Sequence, residues 1–277
     1  MSYRRVLTVQ DISCLGQCSM TVAMPILSAC GMETCILPSA VLSTHTGGFK
    51  GFTVRDLTDD FPGITEHWKR EGIAFDAIYT GYLGNLRQVD YVKTIIDELL
   101  TDGAAVIIDP AMADNGKLYY GFDDSYVKKM GELCAKADIV LPNVTEACFL
   151  TGAEYKESYD EAYVAQLVEK LLALGAKGVV LTGVSYEAGS TGVLVCVDGK
   201  TEYYRHDRIP QSFHGTGDVY SSAFTGMLMN GYECYEAAKI AADFTVRAIE
   251  NTVGDADHWY GVKFEPCLGM LTEKVVK

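Results

Sequence analysis

Short, nearly continuous apolar runs alternate along the chain with longer stretches whose apolar positions return every three or four residues. RRVLTVQ (4–10), METCILP (32–38), FDAIYTGYL (75–83), AAVIIDP (104–110), ADIVLPN (137–143) and KGVVLTGV (177–184) are runs of the first kind. Each is rich in Val and Ile, as buried strands of a parallel sheet covered on both faces must be. Helical faces lie between and after them: Val92, Ile95, Ile96 and Leu99; Val164, Leu167, Val168 and Leu171; Ala237, Ile240, Ala241, Phe244 and Ala248. Gly16 leads into a further helical segment ending near Cys30. Repeated strand and helix alternation predicts a doubly wound α/β domain.

After the sixth run the rhythm changes. TGVLVCV and TEYYRHDR flank Asp198-Gly199-Lys200, and an Asp-Gly pair favours a two-residue hairpin turn, so an antiparallel pair is expected at the sheet edge. Without a low-complexity linker or repeat, residues 1–277 are expected to form a single domain. Two glycine-bearing segments, THTGGFKGF (44–52) and AMADNGKLYYGF (111–122), interrupt the pattern and are lid candidates.

A chain of 277 residues with 48% hydrophobic composition can bury a substantial core. No apolar run reaches the roughly 20 residues of a membrane span, and the start of the chain reads as a strand, so a cytoplasmic protein is expected. The formal charge of −14, without a basic run longer than a pair, argues against a nucleic-acid surface. Nine scattered cysteines predict free thiols. Cys14 and Cys18 lack a second pair or a neighbouring His and are expected to be structural.

The chemistry concentrates in HGTGDVYSSAFTG (214–226). Gly215 and Gly217 allow the backbone to approach a ligand closely. A helix starting at about Gly217 would turn its unpaired N–H groups and positive dipole end towards that ligand, an anion cradle. Asp218 opposes an anion there unless it has its own task, and a fitting one is to orient a hydroxyl as phosphate is transferred to it. An acid favoured by the helix dipole is the structural alternative. The stretch lacks both the Gly-Lys-Ser/Thr ending of a Walker loop and the Gly-x-Gly-x-x-Gly of a dinucleotide site. His214, just before the cradle, is read as a loop residue, and His258-Trp259-Tyr260 as an aromatic plug or subunit contact.

Asp109 closes one strand-like run, and Asn143 with Glu146 follows another, so polar groups collect at carboxyl ends of parallel strands, where open α/β sheets bind ligands. Their oxygens suit Mg²⁺. Separately, Asp109 also reads as a turn residue and Asn143 and Glu146 as helix-start residues. Together with the cradle they favour nucleotide-dependent phosphoryl transfer.

Gly215-Thr216-Gly217-Asp218, Asp109-Pro110, Pro142-Asn143-Val144-Thr145-Glu146, Thr80-Gly81-Tyr82-Leu83-Gly84 and Ser43-Thr44-His45-Thr46 together resemble the vitamin B6 (pyridoxal) kinases of the ribokinase-like superfamily, in matching order from Val9 to about Thr252. That resemblance implies a three-layer α/β/α sandwich around a mostly parallel sheet. It also implies ATP-dependent phosphorylation of the 5′-hydroxymethyl group of pyridoxal, pyridoxamine or pyridoxine by a cytoplasmic homodimer. By the same resemblance Asp218 is the base, with Gly215, Thr216 and Gly217 forming the anion hole. Asp109 and Glu146 act near the ATP phosphates and Mg²⁺, supported by Asn143. K⁺ is a further candidate ion. Thr46 and Tyr82 line the pyridine pocket, Thr182 lies near the nucleotide, and Arg208, Ile209, Pro210 and Gln211 run along the adenine. Many family members carry Ser where this chain has Asp11, followed by Ser13 and Gly16. That pattern also resembles the hydroxymethylpyrimidine kinases of thiamine synthesis, the alternative reading, and an Asp there can accept from a ring hydroxyl, a ring N–H or an exocyclic amine.

Overall fold

The computed structural model describes residues 3–275. The described residues form two compact units, one comprising the chain up to Ala104 and again from Ile209 onward, the other Ala105–Arg208.

The first unit opens with β1 (Arg5–Ser13), α1 (Met20–Ala29), β2 (Glu33–Leu42), β3 (Val54–Asp56), α2 (Phe61–Arg70), β4 (Phe75–Thr80) and α3 (Leu86–Glu98). β1 lies between β2 and β4, parallel to both, and β3 pairs antiparallel with β2 at the edge. Six consecutive residues of β1, Val6 to Asp11, are buried, as a strand covered on both faces requires. The β1–β2 register slips between Gln10 and Ile12, at Asp11, and such irregularities re-aim side chains beside functional sites. α3 begins where the Asn85 side chain accepts from the Gln88 amide, and it buries Val92 and Ile95. β5 (Leu100–Ile108) then carries the chain from the first unit into the second.

Within the second unit follow β6 (Ala113–Asp114), β7 (Lys117–Leu118), α4 (Asp124–Cys134), β8 (Ile139–Val140), α5 (Val144–Thr151), α6 (Glu161–Ala173), β9 (Gly178–Val184), β10 (Ser190–Val197) and β11 (Lys200–Asp207). β5, β8 and β9 run parallel, and β10 and β11 continue antiparallel. Val197 pairs with Lys200 across Asp198 and Gly199, both at positive φ (52° and 75°). This is the expected two-residue hairpin, and its backbone twist matches the flanking strands.

The chain returns to the first unit with α7 (Thr216–Met229), α8 (Cys234–Thr252) and α9 (Gly269–Thr272). All residues of α7 from Val219 to Met227 are buried, and its small side chains admit close neighbours: a Cβ on Gly226 would meet the Cys30 Sγ at 2.4 Å. The predicted faces of α6 and α8 are buried as expected. Among the described residues no helix is long and apolar enough to cross a membrane.

Two expectations change and one helix is added. The strand read over 137–143 shrinks to Ile139–Val140, because Pro142 has no amide to donate and Asn143 turns to cap α5. The glycine-bearing segment 111–122 contains a small hairpin, β6–β7, around Asn115 and Gly116 (φ 50° and 74°). α2, with its exposed and polar surface, was not read from periodicity.

Candidate active site

In the first unit the polar groups gather at the carboxyl ends of β1 and β4. Asp11 is 5% exposed; its Oδ2 accepts from the Ser13 hydroxyl at 2.8 Å, and the Ser19 side chain also bonds it. Burial pushes its carboxyl above the usual range, while those hydroxyls and the nearby His45 pull the other way. Tyr82 follows β4 in a stretch fixed at several points. Its carbonyl accepts from Ser39 Oγ (3.1 Å), and the next glycine amide, Gly84, donates to Gln88 Oε1 (2.6 Å). Burial raises the Tyr82 phenol, and the Asp11 charge adds to it.

The start of α7 supplies the other half of this corner. Gly215 is the N-cap, in the left-handed region (φ 76°), and offers no side-chain cap to the first-turn amides. α7 therefore begins with Thr216, one residue before the position read from the sequence, and the N–H groups of its first turn need partners from outside the helix. Gly217 is exposed, with nothing within 4 Å of where its Cβ would be. Asp218 stands in this first turn, half-buried. Cys18 links the two halves: burial, then Asp218, then Asp11, push its thiol up, keeping it neutral. The structure thus brings Asp11, Ser13, Tyr82, Cys18 and Asp218 into one neighbourhood.

The loop 44–52 enters the corner through the buried His45, and Thr46 next to it is exposed. His45 Nδ1 accepts from the Gly47 amide (3.0 Å), so Nε2 carries the proton and donates to the Tyr260 carbonyl (2.7 Å). Its ring lies 5.1 Å from that of His214 and 5.0 Å from that of Phe49. Phe49 in turn meets Trp259 at 4.6 Å. The sequence block 43–46 holds His45 without a role of its own, and Cys18, grouped with Cys14, reads as structural, since free Cys most often fills core.

In the second unit, Asp109, Asn143, Glu146 and Thr182 collect at the carboxyl ends of β5, β8 and β9. Asn143 and Glu146 form a reciprocal capping box: Asn143 Oδ1 accepts from the Glu146 amide and Glu146 Oε2 from the Asn143 amide, both 2.9 Å. The helix-start reading of these two residues is therefore correct. Glu146 Oε1 also accepts from the Met112 amide (3.0 Å), and Asn143 Nδ2 donates to the Ala113 carbonyl (2.9 Å). The Gly116 amide donates to Thr145 Oγ1 (3.1 Å). The β6–β7 hairpin, a lid candidate from sequence, is thus sewn to the first turn of α5. Complete burial and the neighbouring Asp109 push the Glu146 carboxyl up to about 8. Asp109 Oδ1 accepts from the Ala111 amide at 3.2 Å. Thr182 donates its amide to the Pro142 carbonyl (2.9 Å) and bridges to Asn143. Arg208, Pro210 and Gln211 are exposed and Ile209 half-buried, outside any helix or strand.

Residues 28–261 match the phosphomethylpyrimidine kinase family. A protein of Bacteroides thetaiotaomicron assigned as a phosphomethylpyrimidine kinase, solved with pyridoxal, is 36% identical, with a TM-score of 0.92 over 98% of this chain and 96% of that one. The pyridoxal kinase of Lactobacillus plantarum is 31% identical, with a TM-score of 0.91 over 98% of each chain. The hydroxymethylpyrimidine/phosphomethylpyrimidine kinase of Bacillus subtilis is 29% identical over 78% of each chain. The glycine cradle, the strand-end acids and these likenesses lead to one assignment: the chain belongs to the phosphomethylpyrimidine kinase family, as a phosphotransferase of the ribokinase-like α/β superfamily that also holds the vitamin B6 kinases.

Proposed function

We propose that this chain transfers the γ-phosphoryl group of ATP to the 5′-hydroxymethyl group of pyridoxal, pyridoxamine or pyridoxine. The observation that carries the proposal is the left-handed Gly215 turn that opens α7 without a side-chain cap while setting Asp218 in its first turn, next to the Asp11 corner. Amides of Gly215, Thr216 and Gly217 hold the charge of the migrating group, and donors of this kind contribute roughly 2.7–4 kcal/mol each where charge develops. Asp218 accepts the proton of the incoming alcohol and orients its oxygen. Asp11, Ser13 and Tyr82 receive the ring, and Thr46 closes over it from its loop. Asp109, Asn143, Glu146, Thr182 and Arg208 to Gln211 are assigned to ATP, and the whole chain to a single kinase domain working as a cytoplasmic homodimer.

The donor set fits Mg²⁺ held chiefly by nucleotide phosphates and water. Asp109 offers a carboxylate oxygen. Glu146 has given its oxygens to the amides of 112, 113 and 143 and stands beside it as a positioning group. The ion would supply neutralisation of phosphate charge; K⁺ is assigned no residue.

A second reading, phosphorylation of hydroxymethylpyrimidine, is favoured by Asp11, a carboxyl where many B6 kinases carry Ser, and by the Bacillus subtilis relative. ATP consumption measured separately with pyridoxal, pyridoxamine, pyridoxine and the hydroxymethyl aminopyrimidine decides between them. A preference for the pyrimidine overturns the first reading; no phosphorylated product from any of the four overturns both.

A further inference from the structure

One polar side chain is held more firmly than its position in an irregular segment predicts. Gln17 lies between β1 and α1. Its Nε2 donates to Glu265 Oε1 at 2.7 Å, and its Oε1 lies 2.6 Å from His258 Nε2. The amide oxygen can only accept, so His258 donates through Nε2, and the two partners together fix which way the amide faces. A third constraint is steric: a Cβ on Gly261 would lie 2.7 Å from Gln17 Cβ and 2.8 Å from Oε1. Three points of the segment 258–265, more than 240 residues away in the chain, therefore grip this one side chain.

The backbone of the same residue touches the cradle. The Gln17 carbonyl oxygen lies 1.8 Å from the point a Cβ on Gly215 would occupy, with Cys18 Sγ at 3.2 Å. The left-handed turn that aims the first amides of α7 is thus seated on the Gln17 carbonyl, and that carbonyl is held by the side-chain clamp. We propose that Gln17 is a positioning residue for the anion cradle, set in register by His258, Gly261 and Glu265. This inference rests on the proposed phosphoryl transfer, for which the cradle is the site of charge. The clamp acts on the amides that hold the migrating charge, so its loss is expected to lower kcat more than it raises the KM of the alcohol. A displacement of about 1 Å at a catalytic group costs on the order of 100-fold.

The test is a charge swap. Gln17→Glu sets a second carboxylate against Glu265 and is expected to lower kcat by roughly 10- to 100-fold. In the double variant Gln17→Glu with Glu265→Gln, the new amide donates to the new carboxylate and His258 still donates, so kcat returns to within about 3-fold of the original protein, the scale of an exposed pair. Gly261→Ala, which pushes Gln17 without touching the cradle, lowers kcat like the single variant. Backbone amide resonances of Gly215 and Gly217 report the cradle independently of turnover: they move in Gln17→Glu and return in the swap. Unchanged kcat and unchanged resonances in Gln17→Glu and Gly261→Ala overturn the inference. So does a loss that the swap does not restore and that follows a fall in melting temperature. If the unaltered protein phosphorylates none of the four alcohols, the proposed function fails, whereas the resonances still decide whether Gln17 sets the turn.

Discussion

The carbonyl oxygen of Gln17 lies 1.8 Å from the position a side chain on Gly215 would take, while the equivalent position on Gly217 meets nothing within 4 Å. Two glycines two residues apart therefore have different reasons to be glycine. At Gly215 the fold itself excludes a side chain, both through the left-handed φ of 76° and through the Gln17 backbone.

Gly215→Ala is expected to lose at least the roughly 1–2 kcal/mol of a left-handed non-glycine residue, and more for displacing a backbone carbonyl. Thermal melting should fall by several degrees and turnover should vanish. A variant that melts like the original protein would show that this turn relaxes freely.

Gly217→Ala separates fold from function. The conformation at 217 is open to alanine and the space is empty, so stability should rise by about 0.4–1 kcal/mol through the unfolded chain. Because the methyl group stands where a phosphoryl group is proposed to pass, kcat should drop at the same time. Parallel melting and rate measurements check that the two move in opposite directions.

Asp218→Asn keeps the shape of the first turn and removes the proton acceptor. A loss of roughly 10²–10⁴-fold in kcat is expected, with the KM of ATP nearly unchanged. Turnover equal to that of the original protein would remove Asp218 from the chemistry and leave it as a helix-start acid.

Asp11→Asn tests ring recognition. A hydrogen bond to a charged group contributes about 1.5–3 kcal/mol, so the KM of the alcohol should rise by roughly 10- to 100-fold, with the KM of ATP unaltered. Steady-state kinetics with the alcohol and ATP varied in turn read the difference. An equal rise in both would point to a general loosening around β1.

The Asp109–Glu146 pair makes stability depend on pH. Glu146 is raised to about 8 by burial and by Asp109, so the folded state holds its proton more tightly than the unfolded chain does. The stabilisation is complete below the ordinary carboxylate range and is lost as pH rises through about 8. Asp109→Asn removes the second cause and should flatten that decline. Urea midpoints across the same range, for both proteins, measure it.

Much of this molecule was written locally. The apolar runs set β1, β2, β4, β5 and β9, and Asp198-Gly199 set the β10–β11 hairpin, because burial on both faces and positive φ are properties of a few consecutive residues. Asp109, Asn143 and Glu146 could be placed together since parallel strands deliver their carboxyl ends to one edge, and the resemblance added Thr182. The resemblance to the B6 kinases supplied Tyr82, Thr46 and the roles of the cradle, which no periodicity encodes.

What the sequence determined alone was therefore the alternating α/β order, the glycine turn before α7 and the identity of its acid. The tertiary structure decided which neighbours those groups meet. It brought His45 into the Asp11 corner, docked the 113–118 hairpin on Glu146, shortened β8 to two residues and brought Gln17 under Gly215 with His258 and Glu265 as its anchors. Contacts between residues hundreds of positions apart, and the burial that shifts a carboxyl such as Glu146, come into being only when the chain closes on itself.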